Sequence, residues 1–198
     1  MPLTQQAADE IMKKYPGEVR GVAFQTDAEY VKKKWGEEGL LRVGRRLSEL
    51  GYPVEYDKIK PLVWLPLGLR ILSLLVIDEN FNMTKEELQE MGYTAPKFSF
   101  LMKWLVKFFS SAKTMIESAP AIWKKHYTVG ELETAYHGEE KFALVKVKGL
   151  VLPKSGIEYI QGYFRRVLEF SVGSAVHCEL IKSPDNGADY YEFKAWWN

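Results

Sequence analysis

The chain predicts an α+β fold: an N-terminal helical layer packed on a roughly four-stranded antiparallel sheet. Three observations carry this. Apolar residues recur at helical spacing through the first part of the chain, as in Tyr30, Val31, Leu40, Val43 and Leu47. From Glu131 the period changes to two, in two hairpins with turn residues at Gly138-Glu139 and Pro184-Asp185-Asn186-Gly187. One further helical segment, Ile157–Phe170, separates the hairpins. With 198 residues the chain suits one domain with a sizeable core. It is read as a single domain over 1–198, mainly helical over 1–127 and strand–strand–helix–strand–strand over 128–198.

Taken in order, Leu3–Tyr15 reads as a short helix with Thr4 as its N-cap and Pro16-Gly17 as its end. Val19–Phe24 is a strand or the turn into the next helix. Asp27 is placed as the N-cap of a long helix, with Trp35, Leu41 and Leu50 among its buried positions. Gly36 and Gly39 weaken that helix, and Gly51 stops it. Leu65–Ile77 is almost wholly apolar, with Pro66 in its first turn, and such a helix belongs in the centre of a domain. Thr84 and Glu87 form a capping box for a helix ending at Met91-Gly92. Lys97–Ser118 is predicted as a long aromatic helix, with Pro120 marking its end. Strands follow at Glu131–His137 and Phe142–Val147. The Ile157–Phe170 helix is given Ser155 as cap and Glu158 at the capping-box position, and strands at Val176–Ile181 and Tyr190–Trp196 complete the chain.

Composition excludes several functions. There are 27 Lys and Arg against 26 Asp and Glu, a formal net charge of +1, so no general attraction to nucleic acid or an anionic membrane is expected. The basic residues Lys32–Lys34, Arg42, Arg45 and Arg46 are interleaved with acids and read as a salt-bridged surface. A single Cys rules out an internal disulfide or a multi-thiolate zinc site. The longest apolar stretch, Leu62–Ile77, is broken by Pro66, Gly68 and Arg70, so stable membrane insertion is not expected. No secretory signal is seen at the start, and a cytoplasmic location is expected. The unusual quantity is the 14% aromatic content, which leaves much bulky apolar surface to be placed.

Catalytic motifs are missing: no nucleophile elbow, phosphate loop, dinucleotide fingerprint or zincin pair occurs, and no enzymatic activity is expected. Cys178 reads as a small buried hydrophobe. His177 and Cys178, adjacent in a strand, point to opposite faces. No metal site is expected. His126 is its weak candidate, and the alternative for His126 is a cation partnering a helix C-terminus. The aromatic helix carries two stripes, Phe98, Leu101, Leu105, Phe109 and Phe100, Trp104, Phe108. These form ordinary core, or line a cavity or a dimer interface.

The segments Arg20-Gly21-Val22-Ala23-Phe24, Gly36-Glu37-Glu38-Gly39-Leu40, Leu65-Pro66 and Met83 to Gly92 carry a family resemblance. So do Gly162 to Glu169 and Tyr191 to Trp196. With the element order they resemble a bacterial family of unknown function, about 200 residues long, related to the fold of H-NOX haem sensors, 4-vinyl reductase-like domains and TRAPP tethering subunits. The resemblance implies an H-NOX/TRAPP-like fold with a pocket between helices and sheet. H-NOX domains hold haem by a mid-chain helical His and a Tyr-x-Ser-x-Arg run. Lys97–Ser118 has no His and that run is absent, so haem in the H-NOX manner is disfavoured and the cofactor stays unknown. The leading expectation is a non-enzymatic sensory domain binding an apolar small molecule. Its pocket is placed at Trp64, Leu72, Val76, Phe100, Trp104, Phe108, Phe164 and Val176. The alternatives are a TRAPP-like interaction module, forming a homodimer or docking a signalling protein, and a haem sensor using a non-standard His.

Overall fold

The computed structural model describes residues 2–98 and 111–198. In the helical part, α1 (Gln5–Lys14) starts at Thr4, whose side chain accepts from the Ala7 amide, as expected from sequence. Strand β1 (Glu18–Arg20) pairs antiparallel with β2 (Trp64–Pro66), Val19 opposite Leu65. Helix α2 (Val22–Glu49) begins five residues before Asp27, so Asp27 is not a cap but a fully buried helical residue. At Gly36 the helix breaks (φ 72°, ψ −179°), a conformation essentially restricted to glycine. Trp35 beside the break stacks on Phe81 at 3.8 Å between centroids. Leu41, expected to be buried, faces solvent.

Helix α3 (Leu67–Phe81) starts after Pro66 and is buried from Leu67 to Leu74 except at Leu69, as its uniform apolarity predicts. Helix α4 (Lys85–Phe98) opens with the expected capping box: the Thr84 amide donates to Glu87 Oε2 at 2.8 Å, and the Glu87 amide donates to Thr84 Oγ1 at 3.2 Å. It runs through Gly92 instead of stopping there. The Lys32, Lys34 and Arg46 side chains are paired with acids, among them Asp57, Glu87 and Glu79, in accord with a salt-bridged surface.

The expected Lys97–Ser118 helix does not form as drawn. Lys97 belongs to α4, Ser111 is extended, and α5 (Ala112–His126) starts there with the Ser111 hydroxyl accepting from the Thr114 amide. The stretch holding Phe100, Trp104 and Phe108 lies outside the described residues. Pro120 sits inside α5. Proline leaves the carbonyl four residues earlier without an amide donor. Here Thr134 Oγ1, from the first strand of the sheet, donates to the Ile116 carbonyl at 2.8 Å.

Strands β3 (Glu131–His137), β4 (Phe142–Lys148), β5 (Val176–Lys182) and β6 (Tyr190–Trp197) form an antiparallel sheet in the order β3-β4-β6-β5. Ala143, Val145, Val147, Tyr191, Phe193 and Ala195 fill its inner face. The period-two pattern in β4 predicts this alternation. Helix α6 (Lys154–Val172) covers that face, Phe164 meeting Phe193 edge-on at 5.4 Å. Its N-cap is Pro153, not Ser155. Ser155 and Glu158 are used for tertiary contacts, Ser155 donating to Asp78 and Glu158 accepting from Gln89.

The two parts meet along α4 and α6, which cross at two glycines. A Cβ on Gly92 would lie 1.8 Å from the Tyr159 carbonyl oxygen, and one on Gly162 would lie 1.9 Å from that of Gln89. Gly92 therefore permits backbone-to-backbone packing within a helix that continues past it. Beside the crossing, Glu169 accepts from Tyr93 and from Arg166 Nη1.

Candidate functional site

A cavity of about 130 Å³ lies at the seam between the helical and sheet parts. One wall is the turn from β1 into α2, with Val19, Val22, Ala23 and Thr26. A second is α5, contributing Met115, Ala119, Ile122 and Trp123. The third is α6, with Tyr159, Ile160, Tyr163, Phe164 and Val167, and Leu132 and Ala95 complete the apolar surface. Helical periodicity explains the α6 set: positions three and four apart share one face. The seam is pinned near Tyr127. Val19 bridges to Tyr127, the Glu18 amide donates to Thr128 Oγ1 at 2.8 Å, and Trp123 Nε1 donates to the Val129 carbonyl at 3.1 Å.

The polar groups of the wall are few and unequal in exposure. Arg20 and His126 lie at its outer part. Arg20 stacks on the Trp64 ring at 3.7 Å, and its Nε donates to the Lys125 carbonyl at 3.0 Å. Burial, then the Arg20 and Lys125 charges, hold His126 below the usual imidazole range. His126 is the last residue of α5, where the helix-end reading places it, while its surroundings favour the neutral ring. Burial pushes the Tyr159 and Tyr163 phenols up, which keeps them protonated.

The deepest group is an ion pair that sequence reasoning missed. Arg70 is 5% exposed and Asp27 is 0% exposed. Arg70 Nη2 donates to Asp27 Oδ1 at 3.0 Å. The Tyr159 ring lies against the guanidinium at 5.0 Å. Burial pushes the Asp27 carboxyl up to about 7, although the Arg70 charge pulls it down. The available signal was Arg70 itself. A charge inside an all-apolar buried helix requires a partner.

Of the residues placed in a pocket from sequence, Phe164 is in this wall. Leu72 and Val76 are buried in the helical core, Val176 in the core beneath the sheet, and Trp64 lies under Arg20. Phe100, Trp104 and Phe108 lie outside the described residues. Cys178 is buried and faces inward while His177 is exposed, and burial pushes the thiol up to about 12, which makes it a poor nucleophile. Among the described residues no group of three His, Cys, Asp or Glu is placed to hold a metal ion. No helix among them is long and apolar enough to cross a membrane.

The helical layer and the four-stranded sheet together define an H-NOX-like fold. An H-NOX protein from S. oneidensis in the Fe(II)NO ligation state superposes with a TM-score of 0.68, covering 90% of this chain and 99% of that one at 10% identity. An oxygen-binding H-NOX domain related to soluble guanylate cyclases matches at a TM-score of 0.64 and 12% identity, covering 90% and 95%. An unliganded Fe(II) H-NOX mutant from K. algicida matches at 0.64 and 12%, covering 90% and 96%. At these identities the likeness is one of fold. No family model and no curated protein sequence matches the chain.

Proposed function

We propose that the protein is a non-enzymatic sensory domain that binds a small apolar molecule in the seam cavity. The observation that carries this reading is the cavity's position. It is walled by both parts of the fold, so an occupant would touch α2, α5 and α6 at once and bias their packing. The lining is largely aliphatic and aromatic, which favours burial of apolar ligand surface. Its volume of about 130 Å³ suits a molecule the size of a single ring: an engineered cavity of about 150 Å³ binds benzene. Fold neighbours described as ligated by NO or O₂ lend support by analogy.

Haem stands differently. The neighbours include haem proteins, so the fold gives no ground for disfavouring it. The cavity is well below the ~300 Å³ where sites for drug-sized ligands begin. His126 is its one imidazole among the described residues.

The test is a thermal-shift screen with native mass spectrometry on the full chain, using toluene, indole and haemin. A single-ring compound should raise the melting temperature at saturation, by the equivalent of about 2.7 kcal/mol at a hundredfold excess over Kd. No shift with any apolar ring would remove the proposal. A Soret band that disappears on His126→Ala would replace it with a haem sensor.

A specific observation also favours an interaction module. On the outer face of the sheet, His137, Phe142, Trp196 and His177 form one cross-strand row, His137 stacking on Phe142 at 4.3 Å and His177 on Trp196 at 5.3 Å. Aromatic residues presented this way are enriched at interfaces. Light scattering separates the two readings. A dimer that dissociates on Trp196→Ala would support the module.

A further inference from the structure

Arg70 is a buried cation with donors to spare. Its Nη2 is committed to Asp27, whereas Nε and Nη1 have no hydrogen-bond partner among the described residues. An unmade hydrogen bond at a buried group is costly, and more so when the group is charged. Arg70 is also part of the cavity wall. Asp27 Oδ2, 3.0 Å from Arg70 Nη2, also has no hydrogen-bond partner among the described residues, but it is an acceptor and not a donor. Thr26 already donates to the Ala23 carbonyl at 3.0 Å, and Ser73 is bonded to Tyr56 at 2.6 Å. The cavity is thus apolar over most of its surface, with unsatisfied donors on one buried residue.

We propose that the ligand of this cavity carries a carbonyl or carboxylate oxygen, which accepts from the unpartnered N–H groups of Arg70 while its apolar body lies against α5 and α6. The inference rests on the cavity reading and deepens it. Guanidinium donors lie in one plane and favour planar oxygen acceptors. The guanidinium carbon lies 5.0 Å from the centroid of the Tyr159 ring. A neutral carbonyl adds no charge to the Asp27–Arg70 pair. A carboxylate adds a second negative group, and Asp27, whose carboxyl burial pushes up to about 7, would take up a proton to compensate.

The experiment compares toluene, benzamide and benzoate, which share one ring and differ in the head. Affinities are measured by calorimetry on the wild-type chain and on the Asp27→Asn/Arg70→Met double variant, which removes both charges together. Benzamide or benzoate should bind wild type about tenfold or more tightly than toluene, and that preference over toluene should vanish in the double variant. If toluene binds and neither acceptor binds tighter, water satisfies Arg70 and the inference fails while the cavity reading stands. A preference that survives in the double variant also overturns the inference. If none of the three binds, both fail. Should the double variant not fold, the wild-type Arg70 Nε–H NMR signal serves instead: benzamide should shift it and toluene should not, and an unmoved signal under saturating benzamide overturns the inference.

Discussion

At the scale of single residues, Asp27 and Arg70 decide most. Removing one partner of a buried pair leaves an uncompensated charge. Arg70→Met alone should therefore cost up to ~3–5 kcal/mol in denaturant unfolding at high pH, and less at and below neutral pH, where the unpaired Asp27 carboxyl takes up a proton. The Asp27→Asn/Arg70→Met double variant should cost much less, and equal losses would show that the pair itself holds the core. Asp27 also sets a pH dependence. It faces Arg70 from α3, Tyr159 from α6, Tyr127 after α5 and Tyr56 before β2. Its folded value of about 7 lies above the ordinary 3.8. The stability it contributes is therefore full below about pH 4 and is lost as pH rises to about 7. His126, held low, acts oppositely and removes stability as pH falls below the imidazole range. Melting temperatures of wild type and His126→Gln between pH 4 and 8 should show the variant losing less on the acid side. Parallel curves would refute the assignment.

At the scale of elements, glycines act in ways their helix propensity hides. Gly36 reads as a weak point, and an ordinary mid-helix Gly→Ala change stabilises. Because Gly36 sits at φ 72° and ψ −179°, Gly36→Ala should instead cost ~1–3 kcal/mol, read as a lower urea midpoint with unchanged slope. Gly92→Ala and Gly162→Ala should each cost ~3 kcal/mol or more, since the added methyl meets backbone carbonyls rather than movable side chains. A neutral Gly92→Ala would mean that α4 and α6 do not cross there. Pro120 is a related case: with Thr134 donating to the Ile116 carbonyl, Thr134→Val should loosen the joint between α5 and β3 by ~1 kcal/mol.

At the scale of the whole molecule, the cavity lies between two apolar cores, one among the N-terminal helices and one beneath the sheet. An occupant would act on the joint, so its clearest signature is altered hydrogen exchange in both α2 and α6. Protection confined to one part would argue against a sensory role.

The local chemistry of the chain determined most elements. Thr84 and Glu87 cap α4, alternation in Phe142–Lys148 sets the inner face of β4, and the turn at Pro184–Gly187 joins β5 to β6, because each depends on neighbouring residues. The H-NOX-like order of elements was legible for the same reason. Tertiary structure alone decided the rest. Asp27 looked like a cap because only its partner in α3 shows it to be buried, and Gly92 looked like a stop because only the crossing with α6 shows why it lacks a side chain. The cavity was equally hidden. Leu72 and Phe164 are both buried and apolar, and what separates them is whether atoms of another element fill the space alongside, a property of packing rather than of residue type.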